Sequence, residues 1–353
     1  MQRRMLMLSF ALAVTVLIAS SVATAQYRLT NLTSNQVGWA HNIDPLLANG
    51  WGLVHGPGTP WWLSDNTSGW STLYDNTGKA ISLRVVIPTT GNGPDSPKGL
   101  NGPGTPTGTV YNATSAKGGA QEFQVGGAAA IFLFATLDGT ISGWTPGSNL
   151  NQATIAVDNG TSSSYTGLAI TNRASGNLLY AANMAKNVVE VYNAQFQMVG
   201  TLTDPSIPSG FASFGVQDIG GKVFVTYASV SDGSGGFVDL FQEDGTLVQT
   251  LIQGAPLNQP WGVAVAPKNF GPLSNTLLIS NNVNRGTINA FDAVTGAFVG
   301  TVRDIWGRPI RIDQLWGIAF GDGLGSNGNT NQLFFTAGPD NYSAGTFGMI
   351  AFK

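Results

Sequence analysis

Pro260-Trp261-Gly262-Val263-Ala264-Val265 carries the pattern that decides the fold: an aromatic or threonine residue, a glycine, and then a strand-forming stretch. The pattern occurs six times in the 353 residues, and its glycines stand at positions 52, 108, 167, 215, 262 and 317, which are 47 to 59 residues apart. A β-propeller repeats one four-stranded sheet roughly every 40 to 50 residues. The spacing therefore predicts an all-β chain folded as a six-bladed β-propeller.

The first repeat contains the four strands that a blade requires. Apolar or alternating stretches lie near 51–54, 61–65, 71–75 and 81–87, and the turn residues of a hairpin stand between the last two. Each third strand is expected to end in an aromatic residue: Tyr74, Trp144, Tyr192, Phe241, Phe291 and Phe352. The predicted blades span approximately 49–88, 106–159, 163–205, 211–253, 258–304 and 313–352.

The last repeat has only three strands and lacks a fourth. The stretch 27–34, at the other end of the chain, alternates apolar and polar residues as a half-buried strand does. We therefore expect this N-terminal strand to pair into the last blade and close the ring, which removes sheet edges that would promote aggregation. Because one blade cannot bury both faces without its neighbours, residues 26–353 are predicted to form a single domain.

The N-terminus has the features of an export signal. Arg3 and Arg4 precede an apolar run over 5–18, and Ala23-Thr24-Ala25 supplies the small residues of a cleavage site. The run is short for the ~20 residues of a membrane span. We therefore predict a signal peptide over residues 1–25, a secreted or periplasmic protein, and no membrane anchor after cleavage.

Composition restricts the chemistry that the chain can perform. It has no cysteine and only two histidines, His41 and His55, so thiol chemistry is excluded, and zinc sites or a Ser/His/Asp triad have few parts. The formal net charge of −3 provides no general attraction for nucleic acid, which is not expected as a partner. Stability must come from burial and strand pairing, and the chain is long enough to supply both.

Four of the six repeat glycines follow an aromatic residue: Trp51, Phe214, Trp261 and Trp316. In a propeller the first strand of each blade lines the central channel, so these rings are predicted to lie near one another. Aromatic side chains bury large areas at modest entropic cost, and we predict that the four bind a ligand such as a sugar or a peptide. Filling of gaps between adjacent blades would explain the same pattern, and the sequence leaves both interpretations open.

Oxygen-bearing side chains end or follow several of the second strands. The candidate metal ligands are Asp65, Asn66, Asn183, Asn282 and Asp340. Calcium takes six to eight oxygen ligands, and six-bladed hydrolases of the lactonase kind gather such oxygens at the mouth of their channel. The same residue types are ordinary at tight turns, where Asp and Asn hydrogen-bond to nearby backbone.

Two stretches depart from the repeat. Glycine and proline are too frequent over 89–107 for a strand or helix, which predicts a long loop between the first two blades. A basic loop that contains Arg303, Trp306, Arg308 and Arg311 precedes the sixth repeat. Guanidinium groups that hydrogen-bond to loop carbonyls at the surface would account for this second stretch.

The fifth repeat resembles an NHL-type repeat in the order of its strands and turns, over Asn258-Gln259-Pro260-Trp261-Gly262-Val263, Leu277-Leu278-Ile279-Ser280-Asn281-Asn282 and Ile288-Asn289-Ala290-Phe291-Asp292. More closely, residues 27 to 353 resemble a family of uncharacterised secreted bacterial β-propeller proteins, through stretches such as Asp138-Gly139-Thr140-Ile141-Ser142-Gly143-Trp144 and Gly236-Phe237-Val238-Asp239-Leu240-Phe241. The resemblance implies the propeller fold and export, and it brings no activity with it.

These features together predict an exported, monomeric, non-catalytic scaffold that binds an extracellular ligand, a glycan or a protein, on one face. The alternative is a calcium-dependent, lactonase-like hydrolase with calcium as its cofactor. The aromatic set favours the first hypothesis and the oxygen set favours the second.

Overall fold

The structure, a computed structural model, describes residues 27–90, 103–231 and 233–353. The predicted signal peptide and most of the predicted loop over 89–107 lie outside the described residues. The described chain consists of strands, with single turns of 3-10 helix at Ala113–Ser115, Gly160–Ser162, Gly271–Leu273 and Gly325–Asn327. Among these residues no helix is long and apolar enough to cross a lipid bilayer.

The first three blades are four-stranded antiparallel sheets. Blade one contains β3 (Gly50–Val54), β4 (Trp61–Asp65), β5 (Trp70–Tyr74) and β6 (Ala80–Val86). Blade two contains β7 (Pro106–Tyr111), β10 (Phe132–Thr136), β11 (Thr140–Trp144) and β12 (Thr154–Asp158), with a small hairpin of β8 (Gln124–Val125) and β9 (Ala128–Ala129) inserted after its first strand. Blade three contains β13 (Tyr165–Ile170), β14 (Leu179–Asn183), β15 (Val188–Tyr192) and β16 (Met198–Leu202).

The next two blades repeat the arrangement, and the sixth completes it with the N-terminal strand. Blade four contains β17 (Phe211–Asp218), β18 (Lys222–Ser229), β19 (Phe237–Gln242) and β20 (Leu247–Gln253). Blade five contains β21 (Pro260–Val265), β22 (Leu277–Asn281), β23 (Ile288–Phe291) and β24 (Phe298–Thr301). Blade six contains β25 (Leu315–Phe320), β26 (Gln332–Ala337), β27 (Thr346–Phe352) and β1 (Tyr27–Ser34), to which β2 (Asn42–Ile43) adds a short parallel pair.

The ring closes as the sequence predicts. β1 pairs antiparallel with β27, from Tyr27 opposite Phe352 to Ser34 opposite Thr346. The first strand of each blade contacts the first strands of both neighbouring blades, including β25 of blade six against β3 of blade one. The six-bladed propeller and its closure by the N-terminal strand are therefore confirmed.

The repeat glycines explain why the innermost strands pack so closely. A Cβ atom added at Gly52 would lie 2.3 Å from the carbonyl oxygen of Thr107 in the next blade, and one added at Gly215 would lie 2.2 Å from the carbonyl oxygen of Trp261. A side chain of any size would therefore push adjacent blades apart. The register of the first and second strands also shifts beside each glycine, as in a β-bulge.

In three blades a hydroxyl group of the second strand forms a hydrogen bond with the repeat glycine. The side-chain oxygens of Thr226, Ser280 and Thr336 accept hydrogen bonds of 2.8–3.0 Å from the backbone N–H of the repeat glycine in the same blade. Ser280 and Thr336 also donate to the next blade, to the carbonyl oxygens of Trp316 at 2.7 Å and Trp51 at 2.6 Å. Because Thr336 belongs to blade six and Trp51 to blade one, the last of these bonds joins the two ends of the ring.

The core lies between adjacent blades as a series of apolar layers. Trp62 of blade one, for example, stacks on Phe132 of blade two with their ring centroids 4.1 Å apart. The aromatic residues that end the third strands are buried in five blades. The sixth, Phe352, is 38% exposed and packs against the ring of Tyr27 in the closing strand.

Candidate ligand site at the channel mouth

The four aromatic residues that precede repeat glycines come together at the channel axis. Trp51 and Trp316 stack in parallel, with centroids 3.6 Å apart and an interplanar angle of 16°. Phe214 lies 6.4 Å from Trp51, and Trp261 meets Trp316 edge-on at 5.8 Å. The repeat explains the convergence, because each ring occupies the same position on one of the innermost strands. We call these four residues the aromatic plug.

The rings of the aromatic plug pack mainly against one another. Trp51, Phe214 and Trp316 are buried, and Trp261 is partly buried. The indole N–H of Trp261 donates to the carbonyl oxygen of Thr166, and that of Trp316 donates to Oδ1 of Asn49. Most of the ring surface of the plug is therefore covered by protein and is not open to a ligand.

A cavity of about 530 Å³ lies against the plug. This volume is in the usual range for small-molecule sites. Besides Trp51, Phe214 and Trp316, its wall has a phenol, five carboxamides, one hydroxyl and two aliphatic groups. These belong to Tyr342, Asn49, Asn66, Gln259, Asn282, Asn284, Thr67, Leu137 and Val283. No acidic or basic side chain belongs to this described wall, and burial raises the pKa of Tyr342, so its phenol is neutral. We call this cavity the mouth cavity.

Hydrogen bonds hold most of these carboxamides in place. Asn49 accepts from the Trp316 indole at 2.8 Å and donates to Oδ1 of Asn66 at 3.1 Å. Asn282 accepts from the Tyr342 hydroxyl at 3.0 Å and donates to the carbonyl oxygen of Leu315. Each bond fixes which end of an amide faces its neighbours, so the wall presents preset donors and acceptors.

Some polar groups of the mouth cavity have no partner within the described protein. The exposed carboxamide of Asn284 makes no side-chain hydrogen bond, and the indole N–H of the buried Trp51 has no acceptor. A buried donor without a partner costs stability unless water or a ligand satisfies it. The Asn284 carboxamide is therefore available for hydrogen bonds to a bound molecule, whereas the Trp51 N–H is enclosed by protein.

Behind the plug the channel is almost filled. The remaining space is about 30 Å³, and it lies among the innermost strands around Gly52, Gly108, Gly262 and Gly317. That volume holds about one water molecule. A ligand can therefore enter from the mouth only as far as the aromatic layer.

The predicted metal ligands are distributed among four blades, and most of their oxygens accept hydrogen bonds within the protein, although Oδ1 of Asp65 has no partner in the described structure. Asn66 and Asn282 line the mouth cavity, and their Oδ1 atoms accept from Asn49 and Tyr342. Asp65 is fully buried below them, and its Oδ2 accepts from the backbone N–H and the hydroxyl of Thr72. Burial raises the pKa of Asp65 well above its ordinary value, which favours a neutral acid over a carboxylate ligand.

The other two predicted ligands lie in separate surroundings. Asn183 donates to Glu190, which also accepts from the hydroxyls of Tyr165 and Tyr192 and from Nζ of Lys186. Asp340 is exposed and accepts from the hydroxyl of Ser343. Among the residues that the structure describes, no three His, Asp or Glu side chains are grouped so that they could hold a metal ion.

Several residues of the mouth cavity were not predicted from the sequence, among them Asn49, Gln259 and Tyr342. Asn49 and Gln259 stand two residues before an aromatic of the plug, and both have φ of 51°, in the left-handed region. Gln314 has φ of 45° at the same place in blade six. A carboxamide two residues before a tryptophan of the plug thus occurs in three blades, and this repetition in the sequence could have indicated the cavity wall. Tyr342 lies in the loop between β26 and β27 and has no counterpart in other blades, so the repeat gave no indication of it.

Comparison with known proteins agrees with the fold. No protein-family model matches the chain. Two uncharacterised proteins of Acanthamoeba polyphaga mimivirus are each 26% identical to it, over 347 and 352 residues, and each alignment covers 93% of this chain. The alignments cover 81% and 86% of the viral proteins. The likeness thus extends along nearly the whole propeller.

Solved structures with a similar fold include two proteins named as lyases. A streptogramin B lyase superposes with a TM-score of 0.54 at 10% identity, covering 93% of this chain and 98% of the lyase. Virginiamycin B lyase from Staphylococcus aureus gives a TM-score of 0.52, also at 10% identity, covering 93% of this chain and 100% of the lyase. At such identity the similarity concerns the fold alone, and it shows that this chain is a propeller-type protein.

Proposed function

We propose that this protein is an exported, non-catalytic binding protein that holds an uncharged, hydroxyl-rich ligand, such as a neutral oligosaccharide, in the mouth cavity. Export is proposed from the signal peptide predicted over residues 1–25. The binding role is supported by the composition of the mouth cavity, where aromatic side chains adjoin fixed carboxamides. Sugar rings present both apolar C–H groups and hydroxyls, which suits such a wall.

The observation that carries the proposal is the absence of acidic and basic side chains from the described wall of the mouth cavity. General acid–base catalysis needs a group that exchanges a proton near the operating pH. Carboxamides do not, but they bind hydroxyl groups through one donor end and one acceptor end. The neutral wall therefore favours binding without chemical change.

Calcium-dependent hydrolysis remains the alternative, and the contacts favour it less. Of its proposed ligands, Asn66 and Asn282 already use Oδ1 as an acceptor within the protein, and Asp65 is held as a buried acid. The lyases that share the fold are enzymes by name, so the fold itself admits catalysis. Calcium would still have to displace hydrogen bonds that hold the mouth together.

A glycan array followed by titration of tryptophan fluorescence tests the proposal. We expect a neutral oligosaccharide to bind, and we expect the double variant Asn284→Ala, Tyr342→Phe to weaken its binding at least tenfold, or ~1.4 kcal/mol. Tyr342→Phe removes the hydroxyl that holds Asn282, and Asn284→Ala removes an unpartnered amide. Tyr111→Phe, which alters a phenol outside the mouth cavity, is the control and should leave the affinity unchanged.

The same experiment separates the two functions. If no neutral glycan binds, or if the double variant binds as the wild type does, the mouth cavity is not the ligand site. A rise in melting temperature with millimolar calcium, reversed by a chelator, would support the hydrolase instead, because a ligand of the folded state stabilises it by mass action.

A further inference from the structure

A second cavity, of about 760 Å³, shares no wall residue with the mouth cavity. It forms where the loop between β24 and β25 meets the start of β1 and the end of β27. Its wall contains five basic side chains: Arg28, Arg285, Arg308, Arg311 and Lys353. The whole chain has only 16 lysines and arginines and a formal net charge of −3, so this is a local concentration of positive charge. We call it the basic groove.

Most of this positive charge is not neutralised within the protein. The one acidic residue of the wall, Asp304, pairs with Arg308, whose Nε and Nη2 lie 3.0 and 2.9 Å from its Oδ2. In the described part of the chain, no carboxylate lies within ion-pair distance of Arg28, Arg285, Arg311 or Lys353. Arg311 donates only to the backbone carbonyl of Arg285, which leaves its charge uncompensated.

An exposed tryptophan stands in the same wall. Trp306 is 71% exposed, and the guanidinium of Arg308 lies 4.6 Å from its ring centroid. The Asp304 carboxylate accepts from the backbone N–H of both Trp306 and Arg308, each at 2.9 Å. These hydrogen bonds hold the loop in one conformation, so the indole is presented to solvent by an ordered turn.

We propose that the basic groove binds a polysaccharide that bears carboxylate or sulfate groups. Planar guanidinium groups pair with such anions through two parallel hydrogen bonds, and an indole face packs on the C–H groups of a sugar ring. The groove supplies both kinds of contact within one cavity. This site is independent of the mouth cavity, whose described wall carries no charge.

A nucleic acid is the less suitable polyanion. Single strands bind where several aromatic side chains stack successive bases along a positive track, and this groove has one exposed ring. The test therefore includes a nucleic acid as a competing ligand.

The experiment measures binding of polygalacturonate and dextran sulfate at low salt, with unmodified dextran and oligo-deoxythymidine as comparisons. The groove variant is Arg28→Glu, Lys353→Glu, which alters two exposed side chains that make no hydrogen bond within the described structure. The matched control is Lys117→Glu, Lys268→Glu, which makes the same change of net charge at exposed positions elsewhere. A third variant, Trp306→Ala, removes the sugar-packing surface and keeps every charge.

We expect one of the anionic polysaccharides to bind saturably, with an affinity that falls as salt is added. The groove variant and Trp306→Ala should each weaken binding at least tenfold, while the matched control stays within twofold. Equal losses in the groove variant and the control would overturn the site, as would tighter binding of oligo-deoxythymidine or no binding of either polysaccharide. The variant of the mouth cavity should bind normally, which separates this proposal from the proposed function.

Discussion

A buried polar residue occupies one position in five of the six blades, two residues before the aromatic that ends the third strand. These residues are Thr72, Ser142, Glu190, Asp239 and Asn289, and Ile350 takes the place in blade six. Their surroundings differ sharply. Glu190 accepts hydrogen bonds from four side chains, whereas neither carboxylate oxygen of Asp239 has a hydrogen-bond partner in the described structure. The hydroxyl of Ser142 also lacks a partner, so Asp239 is the member of the set that combines unpartnered oxygens with a group that ionises.

Stability should depend on pH through Asp239. Burial raises the pKa of Asp239 from 3.8 to about 6; the nearby hydroxyls of Tyr227 and Thr250 oppose this rise, and the carboxylate of Asp204 adds to it. The folded chain thus binds this proton more tightly than the unfolded chain. The stabilisation that this bound proton gives the folded chain is complete below about pH 4 and is lost as the pH rises through 6. We expect Asp239→Asn, which stays neutral, to gain melting temperature relative to the wild type by several degrees between pH 4 and pH 8.

Differential scanning fluorimetry across this range checks the expectation. Asp244→Asn serves as the control, because backbone and side-chain hydrogen bonds from Thr246 lower the pKa of the exposed Asp244. Its substitution should therefore cost stability at pH 8, and that cost should fade as the pH falls, the opposite sign to Asp239. Parallel pH profiles for Asp239→Asn and the wild type would contradict the assignment.

At the scale of the elements, the innermost strands depend on the absence of a side chain at the repeat glycine. Gly215→Ala places a Cβ 2.2 Å from the carbonyl oxygen of Trp261, on the backbone of the next blade. We expect a loss of roughly 1–3 kcal/mol in the free energy of unfolding, the range found for overpacked cores. Urea unfolding measures it.

Gly200→Ala is the matched control within a strand. Nothing lies within 4 Å of a Cβ added at Gly200, which stands on the exposed outer strand β16. Because alanine also restricts the unfolded chain more than glycine does, this variant should be as stable as the wild type or slightly more so. Equal losses at both positions would mean that the close approach of blades is not the reason for the repeat.

Strands with repeat counterparts could be predicted from the sequence, and those without could not. The second strand of blade one is expected near 61–65 and lies at Trp61–Asp65. The hairpin of β8 and β9 and the short strand β2 were missed. Each has two residues, which is too short to show the alternation that identifies a strand.

The candidate site was predictable in position and not in packing. Trp51 and Trp316 were expected near each other because each precedes a repeat glycine at the same place in its blade. That their faces would stack at 3.6 Å depends on contacts between residues more than 250 positions apart in the chain. The residues around each ring in the sequence do not determine that distance. The binding role of these rings stays a prediction.

At the scale of the whole molecule, one strand holds the two ends of the chain together. β1 pairs along β27, buries Tyr27, Leu32 and Ser34, and donates from the Tyr27 hydroxyl to the carbonyl oxygen of Phe270 in blade five. No disulfide is possible, because the chain has no cysteine. Hydrogen bonds and burial must therefore resist the opening of the ring between blades six and one.

Removal of β1 should open the molecule at that point. We compare a chain that begins at residue 27 with one that begins at residue 35, which lacks β1 and leaves the outer edge of β27 unpaired. The shorter chain should melt at a lower temperature and self-associate through the free edge, as size-exclusion chromatography would show.

A synthetic peptide of residues 27–34, added in excess, should restore the monomer and the melting temperature by mass action. A peptide with Leu32→Asp, which would bury a carboxylate in place of an apolar side chain, should not. If the shorter chain is monomeric and as stable as the longer one, closure does not depend on β1, and the contacts between β25 and β3 hold the ring by themselves.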